Sequence, residues 1–92
     1  VAICPDLIKA AGFYLNERVD IYNVDNGERL STYVILGEKG EICLNGAAAH
    51  KGSRGQRVII ASYVQLTPEE ILDHKPTVVL VGPENEIQAM KD

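Results

Sequence analysis

The sequence predicts a small, mainly β fold, a compact barrel of short strands with single helical turns set between them. Three observations point there. Residues Arg18 to Val24 alternate, with Val19 and Ile21 facing one way and Asp20 and Tyr22 the other, which is the period of a strand with one buried face. Asp25-Asn26-Gly27 follows directly, and an Asn-Gly pair between two strand-like runs marks a hairpin. Arg57 to Leu66 is a second run rich in β-branched and aromatic residues: Val58, Ile59, Ile60, Tyr63 and Val64.

In chain order, the first unit is a short helix between Cys4 and Gly12. Pro5 suits the first helical position, Asp6 complements the positive end of the helix, and Gly12 suits its C-terminal cap. The Arg18–Val24 strand and its turn come next. The returning strand is expected from Glu28 to Leu36, followed by a turn at residues 37–40 and a short strand from Glu41 to Leu44. Gly46 to His50 reads as one helical turn after Asn45. The Arg57–Leu66 run leads to Thr67-Pro68-Glu69-Glu70, where Thr67 and Glu70 have the spacing of a capping box. That helical turn ends before Pro76. Thr77 to Val81 is a last apolar strand, and Gly82-Pro83 turns into a polar tail.

A chain of 92 residues makes one domain, residues 1–92, with a core small enough to favour support from partner chains. Its net charge of −4 argues against nucleic acid, whose phosphates need a clustered positive surface. No run of eighteen apolar residues is present, so nothing reads as a membrane span. The chain starts at Val1, without a methionine, inside what reads as structured sequence. Cys4 and Cys43 lack metal-ligand neighbours and read as small buried hydrophobes of a reducing compartment.

Two stretches could carry chemistry. On a strand, Arg29, Ser31 and Tyr33 share one face while Leu30, Thr32 and Val34 share the other. An arginine can fork onto a carboxylate, and a tyrosine beside it could donate a proton. The plainer alternative is an exposed arginine next to a half-buried tyrosine. In Asn45-Gly46-Ala47-Ala48-Ala49-His50 the small side chains let a ligand approach the main chain, whose N–H groups at the start of a helical turn can hold an anion. The alternative there is a tight turn packed with alanines. His50 and His74 lie far apart and outside any metal motif, so no metal site is expected. Residue by residue, the chain reads as a binding site for a small anion with no reactive group of its own.

The arrangement of these stretches changes that reading. The chain resembles the pyruvoyl-dependent aspartate 1-decarboxylase family over nearly its whole length. The resemblance rests on Ala2-Ile3, Ala10-Ala11-Gly12, Val19-Asp20-Ile21-Tyr22-Asn23-Val24 and Asn26-Gly27-Glu28-Arg29-Leu30-Ser31-Thr32-Tyr33. It continues in Asn45-Gly46-Ala47-Ala48-Ala49-His50 and Val58-Ile59-Ile60-Ala61-Ser62-Tyr63. The Asn26–Tyr33 and Asn45–Ala49 blocks at this separation are highly specific together.

The resemblance implies that the chain is the larger, C-terminal alpha chain of a zymogen that cuts itself between a Gly and a Ser. The serine becomes a covalently bound pyruvoyl group directly before Val1. Such enzymes convert L-aspartate to β-alanine and carbon dioxide through a Schiff base on that group, for pantothenate and coenzyme A synthesis in the cytoplasm. By the same resemblance Tyr33 matches the proton donor. Arg29, Thr32, Asn45, Gly46, Ala47 and Ala48 match substrate-binding positions. Thr32 falls on the strand face opposite Tyr33, so a twist, bulge or subunit boundary is expected there. The implied fold is a double-psi β-barrel completed by the short N-terminal beta chain of the same precursor, in a homotetramer with sites between subunits. A non-catalytic barrel that binds a small carboxylate is the rival reading.

Overall fold

The computed structural model describes residues 1–91. Strand β1 (Ala2–Ile3) is the hub. It is followed by helix α1 (Pro5–Ala11) and strands β2 (Arg18–Asn23), β3 (Arg29–Tyr33), β4 (Ile35–Leu36) and β5 (Ile42–Cys43). A 3₁₀ turn (Gly46–Lys51), β6 (Val58–Ala61), α2 (Pro68–Asp73), β7 (Val78–Val81) and β8 (Ile87–Lys91) complete the order. The strands form three small sheets, β4-β1-β5, β3-β2-β6 and the hairpin β7-β8. The mainly β class therefore holds, and none of these sheets closes on itself among the described residues.

In the first sheet Ala2 stands opposite Ile35 in a parallel pair and opposite Cys43 in an antiparallel one. A strand paired on both edges and covered on both faces tolerates a continuous apolar run, and Val1, Ala2, Ile3 and Cys4 are all buried. The chain passes close beside it at Gly37, where an added Cβ would lie 3.0 Å from the Ile3 nitrogen and 3.1 Å from the Ala2 carbonyl carbon. Helix α1 follows the expected pattern. Pro5 opens it, Asp6 lies in its first turn, and Gly12 closes it in the left-handed region at φ 76°.

In the second sheet β2 is central. Val19, Ile21 and Asn23 point inward and are buried, as the alternation requires. The β2–β3 connection spans residues 24–28 and uses Gly27 at φ 77°, with the Gly27 N–H donating to the Asn23 carbonyl at 2.9 Å. Asn23 is a buried polar residue whose side chain is fully engaged. Its Nδ2 donates to the Lys51 carbonyl (3.2 Å) and to Gln56 Oε1 (3.0 Å), and its Oδ1 accepts from the Asp25 and Asn26 N–H groups. This one amide ties the hairpin turn to the end of the 3₁₀ turn. The capping box of α2 is present in both directions, Thr67 Oγ1 accepting from the Glu70 N–H and Glu70 Oε1 from the Thr67 N–H.

Four expectations need correction. The strand expected from Glu28 to Leu36 is two strands in different sheets, divided at fully buried Val34. The N–H of Val34 donates to the Glu17 carbonyl and its carbonyl accepts from the Asn16 N–H, so both its ladder groups go to the turn before β2. The Arg57–Leu66 run is regular only over Val58–Ala61, because pairing with β2 runs from Asn23–Val58 to Asp20–Ala61 and stops there. The third strand is limited to Ile42–Cys43, the length its partner β1 allows. The tail beyond Gly82-Pro83 is not irregular. Asn85 adopts φ 62°, the chain reverses, and Ile87–Lys91 pairs with β7 through main-chain bonds that need no apolar alternation.

The core is built by Val1, Ile3, Cys4, Leu7, Val19, Ile21 and Val34, with Leu30, Ile42, Leu44, Val58, Ile60 and Val79 packed against it. Cys4 is buried, Cys43 is half-buried, and both are free thiols.

Ile21 is 0% exposed. Ile21→Ala should therefore destabilise the protein by about 2–5 kcal/mol, read from urea denaturation, and a smaller loss would show that the site collapses around the deletion. Asp25 gives a pH test. The Arg57 backbone N–H, and then its guanidinium, hold the Asp25 carboxyl below its ordinary value of 3.8. A carboxyl depressed in the folded state stabilises above its unfolded value, and that stabilisation is lost as pH falls through the folded value. Asp25→Asn should thus lower the urea midpoint at about pH 7, and its effect should shrink progressively as the pH falls below 3.8. Equal losses across that range would exclude the charged interaction as the cause.

Candidate active site

The outer face of the β3-β2-β6 sheet carries the first block. Antiparallel register sets Tyr33 opposite Arg18, Ser31 opposite Asp20 and Arg29 opposite Tyr22. Side chains directly opposite share a face, so six polar or aromatic groups stand together on the surface. Ser31 Oγ donates to Asp20 Oδ1 at 2.5 Å, and Arg18 Nη2 donates to Ser31 Oγ at 3.3 Å. The Arg29 guanidinium carbon lies 4.9 Å from the centroid of the Tyr22 ring. The hydroxyls of Tyr22 and Tyr63 are 2.7 Å apart. Arg29 makes no ion pair among the described residues, which leaves its N–H donors available to an anion.

Tyr33 is 56% exposed and ends its strand. Its backbone carbonyl accepts a hydrogen bond from the Val1 nitrogen at 2.8 Å, so this residue touches the start of β1 through its main chain while its side chain stays outside. Thr32 lies on the inner face opposite Val19, away from Arg29 and Tyr33. The β2–β3 register runs unbroken through it, and the chain changes sheets at Val34 instead.

The second block forms the 3₁₀ turn that packs against β3. Asn45 is extended and exposed, and caps none of the turn's N–H groups with its side chain. Its Oδ1 accepts from the Cys43 thiol at 3.2 Å. Gly46 and Ala47 are exposed and Ala48 is half-buried. Lys51 closes the turn, bonded to Glu28 at 2.9 Å and, through its carbonyl, to Asn23 and Asn26. The two blocks are thus neighbours, held together by the β2–β3 turn.

The strand register relates both blocks to the position before Val1. Ala2 faces Ile35 on one side and Cys43 on the other. Moving two residues toward the N-terminus along β1 corresponds to Tyr33 in the parallel partner and Asn45 in the antiparallel one. Burial lowers the Val1 amine below its ordinary value of 8.0, with Cys43 acting the other way. The buried Val1 nitrogen donates to the Tyr33 carbonyl at 2.8 Å, a bond that an amide N–H at this position would also make. A group joined to Val1 by an amide fits these residues.

His50 and His74 stay apart, one on the 3₁₀ turn and the other capping α2. Among the described residues no group of three or more His, Cys, Asp or Glu could hold a metal ion, and no helix is long and apolar enough to cross a membrane. A shallow pocket of about 200 Å³ opens between Arg18, Asp20, Ala61 and Tyr63. A larger groove of about 780 Å³, between α1 and the β7–β8 turn, contains none of the block residues. Sequence reasoning missed Tyr63 and Asn23 as parts of this region. Strand alternation groups Asp20 with Tyr22 and Arg29 with Tyr33, but setting Tyr22 against Arg29 and adding Tyr63 needs the fold.

An arginine with no ion pair among the described residues, an exposed tyrosine and a small-residue turn stand on adjoining elements of a small, mainly β protein. The chain belongs to the aspartate decarboxylase family, whose model matches residues 1–88. It is 61% identical to an aspartate 1-decarboxylase of Bdellovibrio bacteriovorus over 87 residues, covering 95% of this chain and 70% of that protein. It is 51% identical to the aspartate 1-decarboxylase of Caldicellulosiruptor bescii over 94 residues, covering 100% of this chain and 73% of the relative. A third relative of the same name, from Neisseria meningitidis, is 51% identical over 90 residues, covering 96% of this chain and 71% of its own length.

Proposed function

We propose that the chain is the larger part of an enzyme that decarboxylates L-aspartate to β-alanine, with a pyruvoyl group derived from a serine bound through an amide to the Val1 nitrogen. Family membership supports the reaction, and the strand register around β1, continued two residues beyond Ala2, supports a position for the group between Tyr33 and Asn45. When bound, the pyruvoyl ketone supplies an electron sink for the carbon that loses carbon dioxide.

The chain's own residues do the rest. Arg29, which makes no ion pair among the described residues, forks onto a substrate carboxylate. The main-chain N–H groups of Gly46, Ala47 and Ala48 receive negative charge without a competing side-chain cap. Asn45, oriented by the Cys43 thiol, borders the same space. The Tyr33 phenol, exposed at the end of β3, delivers a proton to the substrate's α-carbon. Thr32 enters the site on the family's pattern, and its inward side chain fits a role in seating β3 beneath Tyr33.

The proposal includes the short N-terminal chain of the precursor, closure of the three sheets into a double-psi barrel, a homotetramer, and a cytoplasmic place in pantothenate synthesis. Exposed Val64, Ile71 and Leu72, the last 84% exposed, are consistent with surfaces that other chains cover.

Two experiments test this. In protein expressed from the full-length gene, the intact mass of the larger chain should show Val1 acylated by one pyruvoyl group. A free amine on Val1 would reduce the protein to a carboxylate binder. In the processed enzyme, Tyr33→Phe should lower kcat by roughly 10²–10⁴-fold with KM nearly unchanged. Arg29→Ala should mainly raise KM for aspartate, by about 10- to 100-fold. Normal turnover in the first variant removes Tyr33 as proton donor, and an unaltered KM in the second removes Arg29 as the clamp.

A further inference from the structure

Tyr63 lies outside both blocks, 41 residues beyond Tyr22, on the irregular segment that follows β6. It is 72% exposed and its ring is not part of the core. Its hydroxyl nevertheless meets that of Tyr22, and the Tyr22 ring lies under the Arg29 guanidinium. We propose that Tyr63 is a positioning residue for the substrate carboxylate: its hydroxyl fixes the Tyr22 ring, and the ring fixes Arg29. The inference rests on the reading of Arg29 as the carboxylate clamp.

An arginine on an open sheet face samples many rotamers, and each rotamer that points its fork away from the ligand lowers the apparent affinity. A ring beneath the cation restricts that freedom while taking up none of its N–H donors. The ring must itself be held. Tyr22 is attached to β2 at one end, and the hydroxyl contact anchors its other end to a different part of the chain. Swinging the ring away from Arg29 about χ1 then requires breaking that bond. The hydrogen bond to Tyr63 also pushes the Tyr22 phenol above its ordinary value of 10.0. The platform stays neutral at physiological pH and does not repel a carboxylate.

The test is steady-state kinetics of the processed enzyme with L-aspartate. Tyr63→Phe and Tyr22→Phe both keep a ring and remove the bond. Each should raise KM about 3- to 10-fold and leave kcat within about twofold, since a positioning hydrogen bond affects binding and not the proton transfer. The double variant should be no worse than either single one, because both remove the same contact. Combined with Arg29→Ala, Tyr63→Phe should add nothing. Two results overturn the inference while leaving Arg29 as the clamp: an unchanged KM in Tyr63→Phe alongside a raised KM in Arg29→Ala, or an undiminished effect of Tyr63→Phe in the Arg29→Ala background. An unchanged KM in Arg29→Ala overturns the clamp itself, and the inference with it.

Discussion

A strand hydrogen-bonded along both edges leaves no ladder group for water, and β1 meets that condition with only two residues. Its burial has consequences up and down the chain. The stretch Val1–Cys4 must be apolar throughout, and the neighbouring chain at residue 37 must lack a side chain. The parallel partner must reach β1 from another sheet, which is why the chain crosses between sheets at Val34. That crossing puts the end of β3 beside the start of β1, and the polar surface of one sheet beside the buried strand of another.

The second organising contact is polar. Asn23 is interior yet meets four partners, and those partners belong to the hairpin turn, the 3₁₀ turn and the segment before β6. A buried amide left unsatisfied would be costly, so the arrangement holds as a unit or not at all. Through it, two blocks of sequence, ending at Tyr33 and beginning at Asn45, become adjacent surfaces.

Much of this was legible in the sequence, for identifiable reasons. Helix α1, the β2 alternation and the α2 capping box are encoded within a few residues, by Pro5 and Gly12, by Val19 and Ile21, and by Thr67 and Glu70. Such signals survive without knowledge of the fold. The split at Val34 was hidden because Thr32 to Leu36 reads as one continuous strand, and only the competing ladder partners at Asn16 and Glu17 divide it. The β8 strand was hidden because nearly all its residues are exposed, so it has no buried face to impose an apolar alternation. At the site, the shared face of Arg29 and Tyr33 followed from strand periodicity. The Tyr22–Tyr63 contact did not, since it joins side chains through a register that sequence does not state.

Tyr33 holds β1 with its carbonyl and faces solvent with its phenol. Any amino acid at that position has a carbonyl, so the attachment point for β1 would survive an exchange of the side chain. The same is true of Arg29 and Ser31, whose backbones serve the β2 ladder while their side chains serve the surface. Architecture and chemistry therefore vary independently along this strand. A lineage could change the shape or charge of the acid it handles one surface residue at a time, with the scaffold already in place. In this sense β3 is an evolvable edge on a fixed frame.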